Sequence, residues 1–187
     1  MSNNKDRSPI DCVGGNEILT IAIGQCGTYM LNEFISTIRN EHKIDKNGQF
    51  IGDWNTVNDK LLMLKNNVYF ETRNHRYSPR SLFMDIDKTH IEAIQCSYLG
   101  SLIPEQNFIA GAFAEPSVLW PKGHYTEGAE VIDECMDRVR QTVETCDVPQ
   151  GFQVLHSLVG GWGSGFGTLL LLKIRDNYPD RCTNTVR

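Results

Sequence analysis

The sequence predicts an α/β fold, a doubly wound (Rossmann-like) parallel sheet with flanking helices, and three observations carry that prediction. An apolar run, Val154 to Leu158, leads into glycines at positions 161, 163, 165 and 167, and these lead into a second apolar run, Thr168 to Leu172. A strand stopping in a glycine-rich turn that opens a helix leaves backbone N–H groups unpaired at the positive end of the helix dipole, an anion site. The same strand–glycine–helix order occurs earlier, where Ile18–Ile23 runs into Gly24-Gln25-Cys26-Gly27. Strand-like and helix-like patterns then alternate to the end of the chain, the signature of a parallel sheet with helices on both faces.

Composition narrows the class. Of 187 residues, 40% are hydrophobic and 22% charged, enough for one globular domain with a buried core. The net charge of −5 argues against a nucleic-acid partner, and no basic patch or dinucleotide fingerprint is present. The six cysteines are scattered without metal-ligand spacing, which fits a reduced cytoplasmic setting. The N-terminus lacks an apolar signal core and no run reaches membrane-spanning length, so no membrane is expected.

Taken in order, residues 1–16 read as a flexible extension ending at Gly14-Gly15. Ile18–Ile23, rich in β-branched residues, is the first strand, and a helix beginning near Thr28 follows, with Met30, Leu31, Phe34, Ile35 and Ile38 on one face. Residues 40–80 are polar and irregular, with a turn at Asn47-Gly48 and a short helical piece near Asn58–Leu64. Leu82–Asp87 is a strand whose Asp85 and Asp87 sit at its carboxyl end, where an open parallel sheet has its ligand crevice. Either the pair holds a magnesium ion through water, or one carboxylate caps the helix over His90–Cys96 and the other is solvated. Asn107–Phe113 predicts a further strand, ending in the loop Ala114–Leu119. Glu127–Thr145 is amphipathic: Val131, Ile132, Cys135, Met136, Val139 and Val143 face inward, while Asp133, Glu134, Asp137, Arg138 and Arg140 form a solvated face. Phe152–Leu158 and Thr168–Asn177 flank the glycine turn, and Cys182–Val186 begins one more strand. His124, His156 and the cysteines read as structural positions. Two phosphate-type turns in one small domain point to a nucleotide.

Several stretches, in one order from about Glu17 to the last residue, resemble the tubulin family, specifically the amino-terminal nucleotide-binding domain of its β-type members. They are Gly24-Gln25-Cys26-Gly27, Pro79–Asp87, Lys122-Gly123-His124-Tyr125-Thr126-Glu127-Gly128-Ala129-Glu130, Gln150-Gly151-Phe152-Gln153 and Tyr178-Pro179-Asp180-Arg181. The resemblance implies the tubulin/FtsZ architecture over residues 17–187, GTP or GDP with Mg2+ as ligands, and a structural role in microtubules. It implies an α-tubulin-like partner, neighbouring microtubule subunits, and a place in the cytoplasm and cytoskeleton. By position it implies that Gln25 and Cys26 contact the nucleotide, that Asp87 serves the metal and phosphates, and that Ser157 lies alongside. Gly161, Trp162, Gly163, Ser164 and Gly165 fall in the phosphate cradle.

Departures from the family pattern are specific. The signature Gly-Gly-Gly-Thr-Gly-Ser-Gly is here Val159-Gly160-Gly161-Trp162-Gly163-Ser164-Gly165, so Trp162 replaces a hydroxyl donor with a large ring. The γ-phosphate loop has become Ala114-Glu115-Pro116-Ser117-Val118-Leu119, which gains an anion at Glu115 and loses an N–H at Pro116. Against the family, Arg187 falls about where a fifth strand begins, so the domain is expected to be incomplete at its C-terminal end. The family's second domain, which supplies the hydrolytic acid to a neighbour, lies outside the sequence, and GTP hydrolysis by this chain alone is not expected. The function implied is a GTP-binding microtubule constituent with an altered triphosphate site. The alternatives are a degenerate interaction fragment that holds no GTP, and a piece of a longer, ordinary subunit.

Overall fold

The structure, a computed structural model, describes residues 16–53, 58, 68–73, 76–111 and 118–187. Five parallel strands form one sheet in the order β5-β4-β1-β6-β7. These are β1 (Glu17–Ile23), β4 (Ser81–Asp85), β5 (Phe108–Ala110), β6 (Pro149–His156) and β7 (Cys182–Val186). The chain first builds outward from β1 through β4 to β5, then crosses to β6 and β7 on the other side. β1 is therefore the point at which the winding reverses, and the ligand crevice of such a sheet lies beyond its carboxyl end.

Strand alternation sorts the core into two layers. Leu19, Ile21, Ile23, Met84 and Val154 pack on one face with Ile132, Cys135 and Val139 of α3 (Glu127–Glu144) and Leu170 and Ile174 of α4 (Gly167–Asn177). Ala22, Phe83 and Leu155 pack on the other with Leu31 and Ile35 of α1 (Gly24–Glu41) and Ile91 and Ile94 of α2 (Lys88–Gln95). The expected doubly wound sheet with helices on both faces is what forms. Among the described residues no helix is long and apolar enough to cross a membrane.

Several element boundaries and placements differ from the sequence reading. Helix α1 begins at Gly24 rather than near Thr28, so Gln25 and Cys26 form its first turn and not a loop ahead of it. Gly24 makes this possible with φ +69, which a side chain rarely adopts. Gly27 then lies so close to β6 that a Cβ would stand 2.2 Å from the Leu155 carbonyl oxygen, and the helix seats directly on the sheet. Residues read as irregular contain an antiparallel hairpin, β2 (Phe70–Arg73) with β3 (Arg76–Pro79), which anchors on a third small core around Ile44, Phe70 and Tyr77. The turn at Asn47-Gly48 is present, with Gly48 at φ +78 and Asp45 accepting from the N–H of Asn47 and of Gln49. Arg138 does not lie on the solvated face of α3: it is half-buried and donates to the Asn107 side chain at 2.9 Å. The extension over 1–15, most of the short helix near 58–64, and residues 112–117 with Glu115 and Pro116 lie outside the described residues.

Candidate functional site

The carboxyl ends of β1, β4 and β6 open into one crevice of about 270 Å3. Its wall contains Gly24, Gln25 and Cys26 from the start of α1, Asp85, Asp87 and His90 from the end of β4 and the start of α2, and Ser157, Val159, Trp162 and Gly163 from the glycine turn. The volume is slightly below the roughly 300–1,000 Å3 of typical small-molecule sites, and polar groups converge on it.

Six of the nine expected site residues therefore share this wall: Gln25, Cys26, Asp87, Ser157, Trp162 and Gly163. The other three, Gly161, Ser164 and Gly165, are buried outside that wall. The Gly165 N–H is engaged with the Gly161 carbonyl at 2.8 Å, and the Ser164 hydroxyl donates back to the Gly160 carbonyl. The turn closes through a short π-helical segment, Trp162–Phe166, before α4, which draws these groups into the helix start. The Ser157 hydroxyl is likewise engaged, donating to the Val159 carbonyl at 2.8 Å.

Trp162 is 6% exposed. Its ring stacks on Phe166 with centroids 4.3 Å apart and planes 8° from parallel, inside the layer that holds α3 and α4. One edge approaches Gly24, and the indole N–H is buried with no acceptor among the described residues. A ring expected to crowd the phosphate loop is instead folded into the core beneath it, because an indole gains far more from apolar burial than from the crevice.

At the other wall the two aspartates part company. Asp87 lies beyond β4 as the N-cap of α2, its Oδ1 accepting from the Thr89 N–H at 2.8 Å. Hydrogen bonds from the Thr89 side chain and N–H hold its carboxyl below the usual range. Asp85 is buried, 3% exposed, and burial pushes its carboxyl up, opposed by hydrogen bonds from the Asp87 N–H and from His90. Asp85 Oδ1 accepts from the Asp87 N–H at 3.3 Å, and Oδ2 lies 3.0 Å from His90 Nδ1. One carboxylate caps the helix, as the plainer of the two sequence readings has it; the other is buried and paired rather than solvated.

The sequence reading took His90 only as the start of the following helix and His156 as a structural position. His90 stands between the aspartates, signalled only by its place three residues after Asp87 at a helix start. His156, the last residue of β6, is 1% exposed, and its Nδ1 lies 3.1 Å from the carbonyl oxygens of both Ser157 and Gly163. Two acceptors around one nitrogen place the hydrogen on Nδ1, and the imidazole pins the glycine turn to the strand end.

With this geometry in view, comparison with known proteins gives a consistent family. The model of the Tubulin/FtsZ family, GTPase domain, matches residues 17–187. The chain is 46% identical over 170 residues to the Tubulin beta-6 chain of Gallus gallus, covering 90% of this chain and 37% of that protein. It is 44% identical to the Tubulin beta chain of Candida albicans over 165 residues (88% of this chain, 35% of the relative). It is also 44% identical to that of Saccharomyces cerevisiae over 170 residues (90% and 36%). The chain thus spans little more than a third of the length of these relatives. A parallel sheet wound about β1, a glycine turn and a helix-borne Gly-Gln-Cys-Gly at one crevice, and a match over residues 17–187 together make this chain a member of the tubulin/FtsZ family, matching its GTPase domain.

Proposed function

We propose that this chain binds a guanine nucleotide, GTP or GDP, in the crevice at the carboxyl ends of β1, β4 and β6. As part of a tubulin-like subunit it contributes to microtubules beside an α-tubulin-like partner in the cytoplasmic cytoskeleton. The observation that carries this reading is the convergence of the start of α1, the end of β4 and the glycine turn on one polar crevice at the winding reversal. Gln25 and Cys26 face a base or ribose from the first turn of α1. The N–H groups at the start of the Trp162–Phe166 turn, Gly163 among them, face a phosphate. Nucleotide exchange and assembly are the activities that follow; hydrolysis needs groups beyond these.

Magnesium fits the protein groups poorly. Both oxygens of Asp85 have partners, and Asp87 has one oxygen on Thr89. Among the described residues no group of three His, Cys, Asp or Glu side chains could hold a metal ion. An oxygen-seeking ion of strict octahedral demand would here depend on waters and phosphate oxygens.

A second reading, a chain that holds no nucleotide and works only through its surfaces, is favoured by the engaged state of Gly165 N–H and of the Ser157 and Ser164 hydroxyls. Titration of the chain with fluorescent GTP, with and without magnesium, beside Trp162→Thr, separates the two. Saturable binding by the unmodified chain, displaced by GDP, is the expected result. No binding by either protein, both folded by circular dichroism, would overturn nucleotide binding and leave the second reading.

A further inference from the structure

Away from the crevice, one buried cation has no opposite charge beside it among the described residues. Arg39, in the last turn of α1, is 6% exposed. A guanidinium does not lose its proton in a protein, so the charge stays where the fold has put it. Its Nη2 donates to the neutral side-chain oxygen of Asn40 at 3.0 Å. Nε and Nη1 are buried without an acceptor, and no carboxylate among the described residues pairs with the group. Arg80, equally buried, has Glu17. Taking an ion out of water is costly unless an opposite charge comes with it. The negative pole of α1 supplies only about half an elementary charge, so much of the Arg39 charge is left uncompensated.

The groups around Arg39 are cationic and hydroxylic. The Tyr98 ring lies against the guanidinium, 4.9 Å from Cζ to the ring centroid, and Lys46 Nζ is 6.0 Å from the same centroid. Each contact is favourable alone, but two cations on one ring repel each other. The Tyr98 hydroxyl and Ser36 Oγ are hydrogen-bonded at 2.8 Å, and Ser36 stands one turn of α1 before Arg39. Asp45, next to Lys46, is spent inside its own turn, on the N–H of Asn47 and of Gln49 and on the Asn47 amide. Tyr98 is 42% exposed, so its ring is the cover between the guanidinium and solvent. Helix α1 starts at the crevice with Gly24, and Arg39 lies about 22 Å further along its axis at 1.5 Å per residue.

We propose that Arg39, Lys46, Ser36 and Tyr98 form a separate anion site that takes a small tetrahedral oxyanion of the phosphate class. Arg39 Nη1 is the donor that binds it, and Lys46 supplies the second positive charge. The hydroxyls of Ser36 and Tyr98 complete the donor set as the ring swings outward. A tetrahedral oxyanion suits this set better than a carboxylate, because it offers oxygens to several donors at once and carries up to two charges for the two cations. The site shares no residue with the crevice and does not depend on the nucleotide reading.

The test is thermal unfolding of the chain in millimolar inorganic phosphate against chloride at equal ionic strength, with calorimetry to give the affinity. Phosphate bound only by the folded chain should raise the midpoint by roughly 5–10 °C at a hundredfold excess over its dissociation constant. Arg39→Met, which keeps the side-chain bulk and drops the charge, should lose that rise while melting in chloride no lower than the parent. Lys46→Ala, an exposed substitution that leaves the core intact, should weaken phosphate binding by roughly two- to fivefold. Equal phosphate affinity in Arg39→Met would overturn the proposal, since the anion would then be held in the crevice or elsewhere. A rise that chloride reproduces, or an affinity unchanged in Lys46→Ala, would overturn it as well. So would an Arg39→Met chain that unfolds or melts well below the parent in chloride, because the buried charge would then be compensated already.

Discussion

The two ends of the sheet handle buried charge in opposite ways. At the amino-terminal end, Arg80 and Glu17 are 4% and 6% exposed and paired at 3.1 Å between Nη1 and Oε1. The other Glu17 oxygen accepts the Val148 N–H at 2.8 Å, and Arg80 also donates to the Cys146 sulfur and the Phe70 carbonyl. Both oxygens of the carboxylate are satisfied from within, and the cluster ties β1, β2, the residue after β3 and the segment before β6 together. At the carboxyl-terminal end Asp85 is just as buried, but its partner His90 is a quarter exposed and lines the crevice. A buried charge whose every oxygen is taken is a strut. At Asp85 both oxygens are likewise taken, but one of the partners, His90, reaches the crevice.

The comparison breaks most directly at the strut. Arg80→Met removes the partner of a buried carboxylate, and such losses cost about 3–5 kcal/mol. Urea unfolding should show that loss, and Glu17→Gln in the same chain should recover part of it. An Arg80→Met chain as stable as the parent would mean that water already reaches Glu17.

A second test concerns a buried group with no charge partner. Burial, and then the Glu134 charge, pushes the Cys135 thiol from 9.0 up to about 12. The folded value lies above the unfolded one, so the stabilisation is whole below pH 9 and is lost as pH climbs from about 9 toward 12. At one unit above the unfolded value, the loss attributable to this thiol is about 1.4 kcal/mol, the free energy of one pK unit. Cys135→Ala should lack that component when the two proteins are compared by denaturant melts across this range. Identical slopes would show that the thiol is not buried in solution.

At the crevice, His90→Gln should change stability by less than about 1 kcal/mol, since the ring is part-exposed. A larger loss would turn His90 into another strut. The smallest effect belongs to the outer face of α3, where Arg140 bonds Asp137 and Glu144 and all three side chains are more than half exposed. Arg140→Ala should leave the melting midpoint unchanged within error, because solvent screens exposed pairs.

Much of this architecture was legible beforehand, for reasons that particular residues make plain. The apolar, β-branched run in β1 and the inward stripe Val131, Ile132, Cys135, Met136, Val139 and Val143 of α3 are patterns with one physical solution each, and both stand in the core. β7 was found to the residue by its bounding turn. The start of α1 was missed because Gly24 enters the helix through a positive φ, which a glycine does not announce. The β2–β3 hairpin was missed because its short, polar strands carry one core residue each, Phe70 and Tyr77, which are buried by Ile44, Ile38 and Phe50 from elsewhere in the chain and not by a pattern of their own.

The sequence by itself determined the winding, the two core layers and the meeting of glycine turn, Gln25, Cys26 and Asp87 at one sheet end. Periodicity and the chain order of strands and helices are local facts, and local facts suffice for these. Tertiary structure alone decided that Trp162 folds under the loop onto Phe166, that Gly161, Ser164 and Gly165 lie outside the crevice wall, and that Asp85 is paired rather than solvated. It alone brought His90 between the two aspartates. Those outcomes depend on which neighbour reaches a polar atom first once the sheet is closed, and that competition is settled only when all the partners are within a few ångströms.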